Sequence, residues 1–233
     1  MSEQEHYFTS SAPAGEAERR SIRIRLVGHT VDVETARGTF SPDGLDKGTA
    51  VLLAQAPTPP ATGTFLDLGC GWGPVSLALG LLAPGATVHA VDVNERALDL
   101  ARRNAAALGL HGVQALRAEE VPADVGYDLI WSNPPIRVGK QVLHELMRTW
   151  LPRLLPGGEA YLVVQRNLGS DSLQRWLAAE LPDLQVSRHA SAKAFRVLRV
   201  ARPDTEAGLA TPGKSTAGDL VARTRSPAVQ PYR

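Results

Sequence analysis

From about residue 46 to residue 201 the chain alternates short apolar runs with amphipathic patterns, and this restricts the fold more than any other feature. TFLDLG, TVHAVDV, VQALRA, YDLIWSN and EAYLVVQ read as buried strands, and AFRVLRVA as one more near the end. Helices lie between them. Leu98, Ala101, Ala105 and Leu108 share one face of a helix opening at Asn94 and stopping near Gly109. Leu143, Leu146, Met147 and Trp150 form a second stripe of the same kind. Such alternation predicts an α/β fold, a parallel sheet with helices on both faces. Residues 1 to 45 open polar and then read as a β-hairpin, SIRIRLV and TVDVET, turning at Gly28-His29. Residues 204 to 233 are rich in Gly, Pro, Ser and Thr and poor in large apolar residues, the composition of a disordered tail. The expected organisation is therefore a hairpin segment over 1–45, a main domain over 46–203 and a tail over 204–233.

The bulk composition removes several function classes. A net charge of +1 gives no overall drive onto nucleic acid or membrane, so a polyanion site must be a local patch. The one cysteine, Cys70, allows no internal disulfide and fits a reducing cytoplasm. The N-terminus lacks the apolar core of a secretory signal, and no apolar run is long enough to span a bilayer. The six histidines are scattered without ligand spacing, so no metal site is expected.

In FLDLGCGWG, residues 65 to 73, a strand ends near Asp67, and Gly69, Gly71 and Gly73 follow on alternate positions around Cys70. Glycines let the backbone turn sharply and let a ligand approach where a Cβ would obstruct it. In open parallel sheets such ligands sit beyond the carboxyl ends of the strands. The dinucleotide fingerprint G-x-G-x-x-G is not satisfied, because Pro74 stands where its third glycine belongs. Asp67 would sit awkwardly beside a pyrophosphate and suits a cationic group such as an ammonium. Asp92, ending the next strand, can take both hydroxyls of a ribose, with Asn94 close by as a further cofactor-binding candidate, and Glu119 follows the strand after that, where it could meet an adenine amine. Amino acid, ribose and adenine in that order spell S-adenosylmethionine. The plainer alternative is a tight turn, a helix cap and a solvated acid.

The stretch WSNPPIRVGK, residues 131 to 140, halts a buried strand at Asn133 and two prolines. Pro134 and Pro135 cannot donate to a sheet ladder, so they lie just beyond the strand end; they fix φ and bring no competing N–H, which is expected to keep the Pro134 carbonyl pointed at a substrate. Asn133 and the Pro134 carbonyl offer two acceptors for the two hydrogens of a substrate –NH2. Gripped to one side, the nitrogen becomes pyramidal and its lone pair can point at a sulfonium methyl, so that catalysis is mostly positioning. A strand-terminating turn accounts for the prolines without accounting for the asparagine.

Together FLDLGCGWG, VDVN and SNPPI resemble the class I S-adenosylmethionine-dependent methyltransferases. GTFSPDGLDKGTAVLL and SNPPIRVGK are similar to the small domain methyltransferases, which include the ribosomal small-subunit guanine-N2 methyltransferases. The resemblance covers roughly residues 20 to 201. It implies a three-layer Rossmann-like fold with a mostly parallel seven-stranded sheet and a reversed last strand. It also implies that Phe40 and the Asp46-Lys47-Gly48-Thr49 turn, with Thr49, wall the cofactor pocket; from the residues alone that turn reads as a helix start. One departure stands out: many amino-methylating relatives place an aromatic after the two prolines, and here the residue is Ile136, which can pack on a base without aromatic stacking.

Arg137 and Lys140 fall at the expected rim of the site, and Arg19, Arg20, Arg23 and Arg25 line one side of the first hairpin strand. Both sets suit phosphates, and both also read as solvated charge. The expected function is an S-adenosylmethionine-dependent N-methyltransferase acting on a guanine amine of ribosomal RNA, with the small ribosomal subunit as partner. Rival acceptors are a protein glutamine amide and a small-molecule amine. A non-catalytic RNA-binding module and a nicotinamide-dependent oxidoreductase are the rivals from other classes.

Overall fold

The computed structural model describes residues 12 to 204; the start of the chain and nearly all of the expected tail, 205 to 233, lie outside them. A hairpin of β1 (Arg19–Leu26) and β2 (His29–Ala36) comes first. Its register pairs Leu26 with His29, so the turn is centred on Val27 and Gly28, one residue earlier than expected. Both have positive φ, 42° and 91°, as a two-residue turn matching the strand twist requires.

There follow α1 (Lys47–Gln55), β3 (Thr62–Leu68), α2 (Pro74–Leu82), β4 (Gly85–Val91), α3 (Glu95–Ala107) and β5 (Val113–Leu116). The chain continues through β6 (Tyr127–Ser132), α4 (Lys140–Trp150), β7 (Leu154–Gln165), α5 (Ser170–Glu180), β8 (Gln185–Ala192) and β9 (Phe195–Ala201). Seven of these strands form one sheet in the order β5-β4-β3-β6-β7-β9-β8. Six run in one direction, and β9, inserted between β7 and β8, is antiparallel to both. The fold is thus the expected α/β sheet with a reversed last strand.

Side chains alternate between the two faces, as strand geometry dictates. Leu66, Ile130, Leu162 and Val164 face a core closed by Leu143, Met147 and Trp150 of α4 and Leu173 and Leu177 of α5. Phe65, Leu129, Trp131 and Val163 face the opposite core with Val51 and Leu52 of α1 and Val75 and Leu79 of α2. The hairpin has no core of its own. Leu26, Val31, Val33 and Ala36 pack with Trp72, Leu77, Leu100 and Ala105. Burying such aliphatic side chains is worth about 1.5–3 kcal/mol each, which anchors the hairpin over the glycine loop.

The arginines of β1 are largely spoken for. Arg19 pairs with Glu34 at 3.5 Å, Arg20 with Asp43 at 2.7 Å and Arg23 with Asp32 at 2.8 Å. That leaves the expected phosphate stripe short of free charge. No helix among the described residues is long and apolar enough to cross a membrane.

Candidate active site

The site forms at the carboxyl ends of β3 and β6, which are neighbours at the middle of the sheet. Ser132 Oγ donates to the Leu68 carbonyl at 2.7 Å and clamps the two strand ends together. Beyond Leu68 the chain enters left-handed backbone at Gly69 (φ 79°) and Gly71 (φ 55°), which only glycine adopts without strain. The N–H groups of Gly69 and Cys70 donate to the Val91 carbonyl at 2.8 and 3.0 Å, and that of Gly71 donates to Asp92 Oδ2 at 2.9 Å. The loop is therefore tied to the end of β4 before any ligand arrives.

A small cavity opens over this loop, lined by Phe40, Thr49, Asp67, Gly69, Cys70, Gly71, Trp72, Pro74, Val75 and Asn133. Asp67 is the buried charge in that lining. Burial raises its pKa to about 7, while Ser76 opposes the rise by donating its hydroxyl and its N–H, the latter at 2.8 Å, to Oδ2. Burial likewise pushes the Cys70 thiol well above its ordinary value, so it is no nucleophile here.

Asn133 projects from the end of β6 with its amide nitrogen committed. Nδ2 donates to Asp46 Oδ2 at 2.9 Å and to Thr49 Oγ1 at 3.1 Å. An ionised carboxylate only accepts, so the amide cannot be turned the other way, and Oδ1 is the atom left for the cavity. The turn Asp46 to Thr49 is both things the sequence allowed: Asp46 caps α1, and Thr49 in its first turn lines the cavity.

Several expected residues are not part of this cavity's lining. Asp92, at the end of β4, accepts from Gly71 N and, through Oδ1, from Asn94 N at 2.9 Å. Asn94 does not face the cavity. Its Oδ1 caps α3 and its Nδ2 donates to the Gly38 carbonyl at 2.8 Å, so the side chain is spent on fixing the segment before Phe40. Gly73 also leaves the lining: a Cβ there would stand 3.2 Å from Ala101 Cβ, so its role is the close approach of α2 and α3. Glu119 is exposed and bonded to Arg117 at 2.6 Å, which holds its carboxyl below the usual range.

The proline segment departs from expectation too. The Pro134 carbonyl already accepts from Ile136 N at 2.8 Å across Pro135 (φ −74°, ψ 76°), an inverse γ-turn. It is therefore not an acceptor free of competing N–H groups. Pro135 instead stacks its ring edge over Gly69, its Cδ lying 3.9 Å from where a Cβ on Gly69 would be. Ile136, half-buried, packs one side against the core of α4 and α5. Lys140 begins α4, exposed; the side chain of Arg137 lies outside the described residues.

Trp72 and Val75 line the cavity without having been singled out, and Pro74, noted only as breaking the dinucleotide fingerprint, lines it too; the signal was their position at the N-terminus of the first helix after the glycine loop. Trp72 Nε1 donates to the Ser41 carbonyl at 3.2 Å, joining the loop to the segment that carries Phe40. Asn104 completes that link, giving Nδ2 to the carbonyls of Trp72 and Glu34 at 3.0 and 2.9 Å. Phe195, at the start of β9, was also missed. Its Cε1 is 3.1 Å from where a Cβ on Gly48 would stand, and Asn133 Nδ2 is 3.3 Å from the same point. Nothing in the AFRVLRV run marks that ring as a neighbour of Asn133; only the reversed strand brings it there.

Residues 30 to 199 match the methyltransferase small domain. The chain belongs to the methyltransferase small domain family. The protein is thus a methyltransferase by family, and S-adenosylmethionine is the methyl donor of such enzymes. It is 32% identical to the uncharacterized protein YbxB of Bacillus subtilis over 72% of this chain and 85% of that one. It is 38% identical to the ribosomal RNA small subunit methyltransferase C of Salmonella choleraesuis, over 56% of this chain but only 39% of that protein's length. Among solved structures it resembles the RsmC 16S rRNA N2 methyltransferase of T. thermophilus, determined with AdoMet and guanosine, with a TM-score of 0.68, 24% identity, and coverage of 82% of this chain and 52% of that one. A methyltransferase from Pyrococcus furiosus gives 0.51 at 19% identity, covering 61% and 76%. Among the described residues no group of His, Cys, Asp and Glu is arranged to hold a metal ion.

Proposed function

We propose that the protein methylates the exocyclic N2 amine of a guanine in small-subunit ribosomal RNA, with S-adenosylmethionine as donor. One observation carries the reading: Asn133 lines the cavity with Oδ1 as its available polar atom, its amide nitrogen being held by Asp46 and Thr49. An acceptor at that point suits a substrate N–H. The relatives named as ribosomal RNA small subunit methyltransferase C supply the substrate class, although this chain spans about 39% of their length.

The cavity residues fit the donor. The Asp67 carboxylate, buried and with no protein donor on Oδ1 among the described residues, suits an ammonium. Gly69 and Gly71 leave bare backbone, and Phe40 supplies an apolar wall. Bound S-adenosylmethionine supplies an electrophilic methyl on a sulfonium. The chain's own part is to orient the acceptor: Asn133 Oδ1 takes one N–H of the amine, turning the nitrogen lone pair toward the cavity. The Pro134 carbonyl has a second lone pair beside the one bonded to Ile136 N, and it can take the other N–H. No base is needed, because the proton leaves a cationic product amine to water.

The rim supports a polyanion. Arg166, just past β7, and Lys193, in the turn between β8 and β9, are exposed and have no ion-pair partner among the described residues. Arg166 N donates to the Ala194 carbonyl at 2.8 Å, so both belong to one corner, and Phe195 at that corner offers the aromatic ring that Ile136 lacks. In this reading Lys140, Arg166 and Lys193 serve the rim, with Arg137 as a sequence-based addition.

The test is to incubate the purified protein with labelled S-adenosylmethionine and either naked small-subunit RNA, assembled subunits or a glutamine-containing peptide, and then to identify the labelled nucleoside or residue. N2-methylguanosine is expected. Label on the peptide alone would transfer the reading to a glutamine amide, and label on a ribose or ring nitrogen would overturn it.

A further inference from the structure

The node behind Asn133 has a feature that capping alone does not require. One oxygen, Asp46 Oδ2, accepts three hydrogen bonds: from Gly48 N at 2.7 Å, Thr49 N at 3.1 Å and Asn133 Nδ2 at 2.9 Å. The first two cap α1, which is ordinary work for an aspartate. The third crosses from the start of α1 to the end of β6, joining residues 87 positions apart in the chain. We propose that Asp46 is a positioning residue for methyl transfer, fixing the Asn133 amide so that its oxygen and never its nitrogen meets the substrate amine. This rests on the reading of Asn133 given above.

Three physical points carry it. An asparagine side chain is nearly symmetric in shape, so without a partner its amide can present either end to the cavity. The wrong end would place an N–H against the N–H of the substrate, a repulsive contact at the reacting atom. A carboxylate removes the ambiguity because it has no donor, and its charge strengthens the bond to Nδ2. Thr49 cannot do this alone, since a hydroxyl donates as readily as it accepts. The node is also tightly enclosed. A Cβ on Gly48 would stand 3.0 Å from Asp46 Oδ2, 3.1 Å from Phe195 Cε1 and 3.3 Å from Asn133 Nδ2, so position 48 admits little more than glycine. With α1 leading directly into this contact, the cap and the catalytic amide share one anchor.

The role separates from capping by the choice of substitution. Serine caps helices as well as aspartate does, but its oxygen sits one bond closer to the backbone and falls short of Asn133. In D46N the two backbone N–H groups hold the new carbonyl oxygen where Oδ2 stood, so the contact with Asn133 Nδ2 survives as a neutral bond. Both variants keep the cap. D46S is expected to melt close to the unsubstituted protein and to bind S-adenosylmethionine normally, yet to lose about tenfold or more in kcat with naked small-subunit RNA. D46N is expected to recover most of that loss. Independently of any acceptor, the Asn133 side-chain amide protons, observed by nuclear magnetic resonance in asparagine-labelled protein, should be slow to exchange in the unsubstituted protein and in D46N, and fast in D46S. Unchanged amide exchange in D46S would overturn the proposal, as would equal kcat losses in D46S and D46N. If the amide behaves as described while the unsubstituted protein transfers no methyl to RNA, the orienting contact stands and the substrate reading above fails instead.

Discussion

Asp67 and Ser76 meet through a single oxygen: the Ser76 hydroxyl and N–H both donate to Asp67 Oδ2, leaving Oδ1 without a donor among the described residues. This ties the last turn of β3 to the first turn of α2. It also keeps a carboxylate under the glycine loop, where burial lifts its pKa from 3.8 to about 7.

A pH dependence of opposite sign for ligand and fold follows. The folded form binds a proton at Asp67 more readily than the unfolded chain, so its contribution to stability is complete below about pH 4 and is lost as pH rises toward 7. The donor's ammonium requires the ionised form. Affinity for S-adenosylmethionine should therefore rise as pH climbs through about 7 and level off above it. Titration calorimetry at several pH values checks this, and Asp67→Asn should weaken binding and flatten the profile.

Asn94→Ala should destabilise the protein by about 1–2 kcal/mol, since it removes the cap of α3 and the bond to the Gly38 carbonyl together. Asn94→Asp keeps the cap acceptor but sets a carboxylate against that carbonyl, so it should recover only part of the loss. Urea denaturation of the three proteins measures both.

Gly73→Ala should cost about 1–3 kcal/mol, because it strains a backbone at φ 98° and drives a methyl into Ala101. Gly28→Ala, at φ 91° with open space around it, carries the backbone strain without the clash and should cost less. Thermal melts compare them.

If phosphates bind the rim, Arg166→Gln and Lys193→Gln should each reduce the slope of log affinity for small-subunit RNA against log salt by about 0.7. Arg23→Gln should leave the slope unchanged, its guanidinium being held by Asp32 through Nε at 2.8 Å and Nη2 at 2.9 Å. Filter binding across a salt series decides it.

The periodicities read from the chain correspond to real elements because buried strands and one-sided helices leave local patterns. β3, β4, β6 and the stripes of α3 and α4 all fall where apolar spacing puts them. Loop chemistry was less legible. Gly69 and Gly71 were read as ligand-facing and line the cavity, but Gly73 looked the same in sequence and turned out to face Ala101. What distinguishes them is the packing of α3, which no local pattern encodes. Asn94 stands out only as a helix start beside Asp92 and Glu119 only by strand order, and hydrogen bonds to Gly38 and Arg117 engage both. Asp46 reaches Asn133, and Phe195 reaches Gly48 beside it, through contacts distant in sequence, invisible without the fold. In the proline segment φ was readable, but the bond from Ile136 N to the Pro134 carbonyl depended on the ψ of Pro135, which proline does not fix.

The role proposed for Asn133 is to act on the amine rather than on the donor. Asn133→Ala, with S-adenosylmethionine affinity measured by calorimetry and methyl transfer by single turnover on small-subunit RNA, tests this most directly. Transfer should fall by on the order of a hundredfold while the dissociation constant stays near that of the unsubstituted protein. A dissociation constant that weakens as much as the rate falls, or a rate that does not fall, would contradict it.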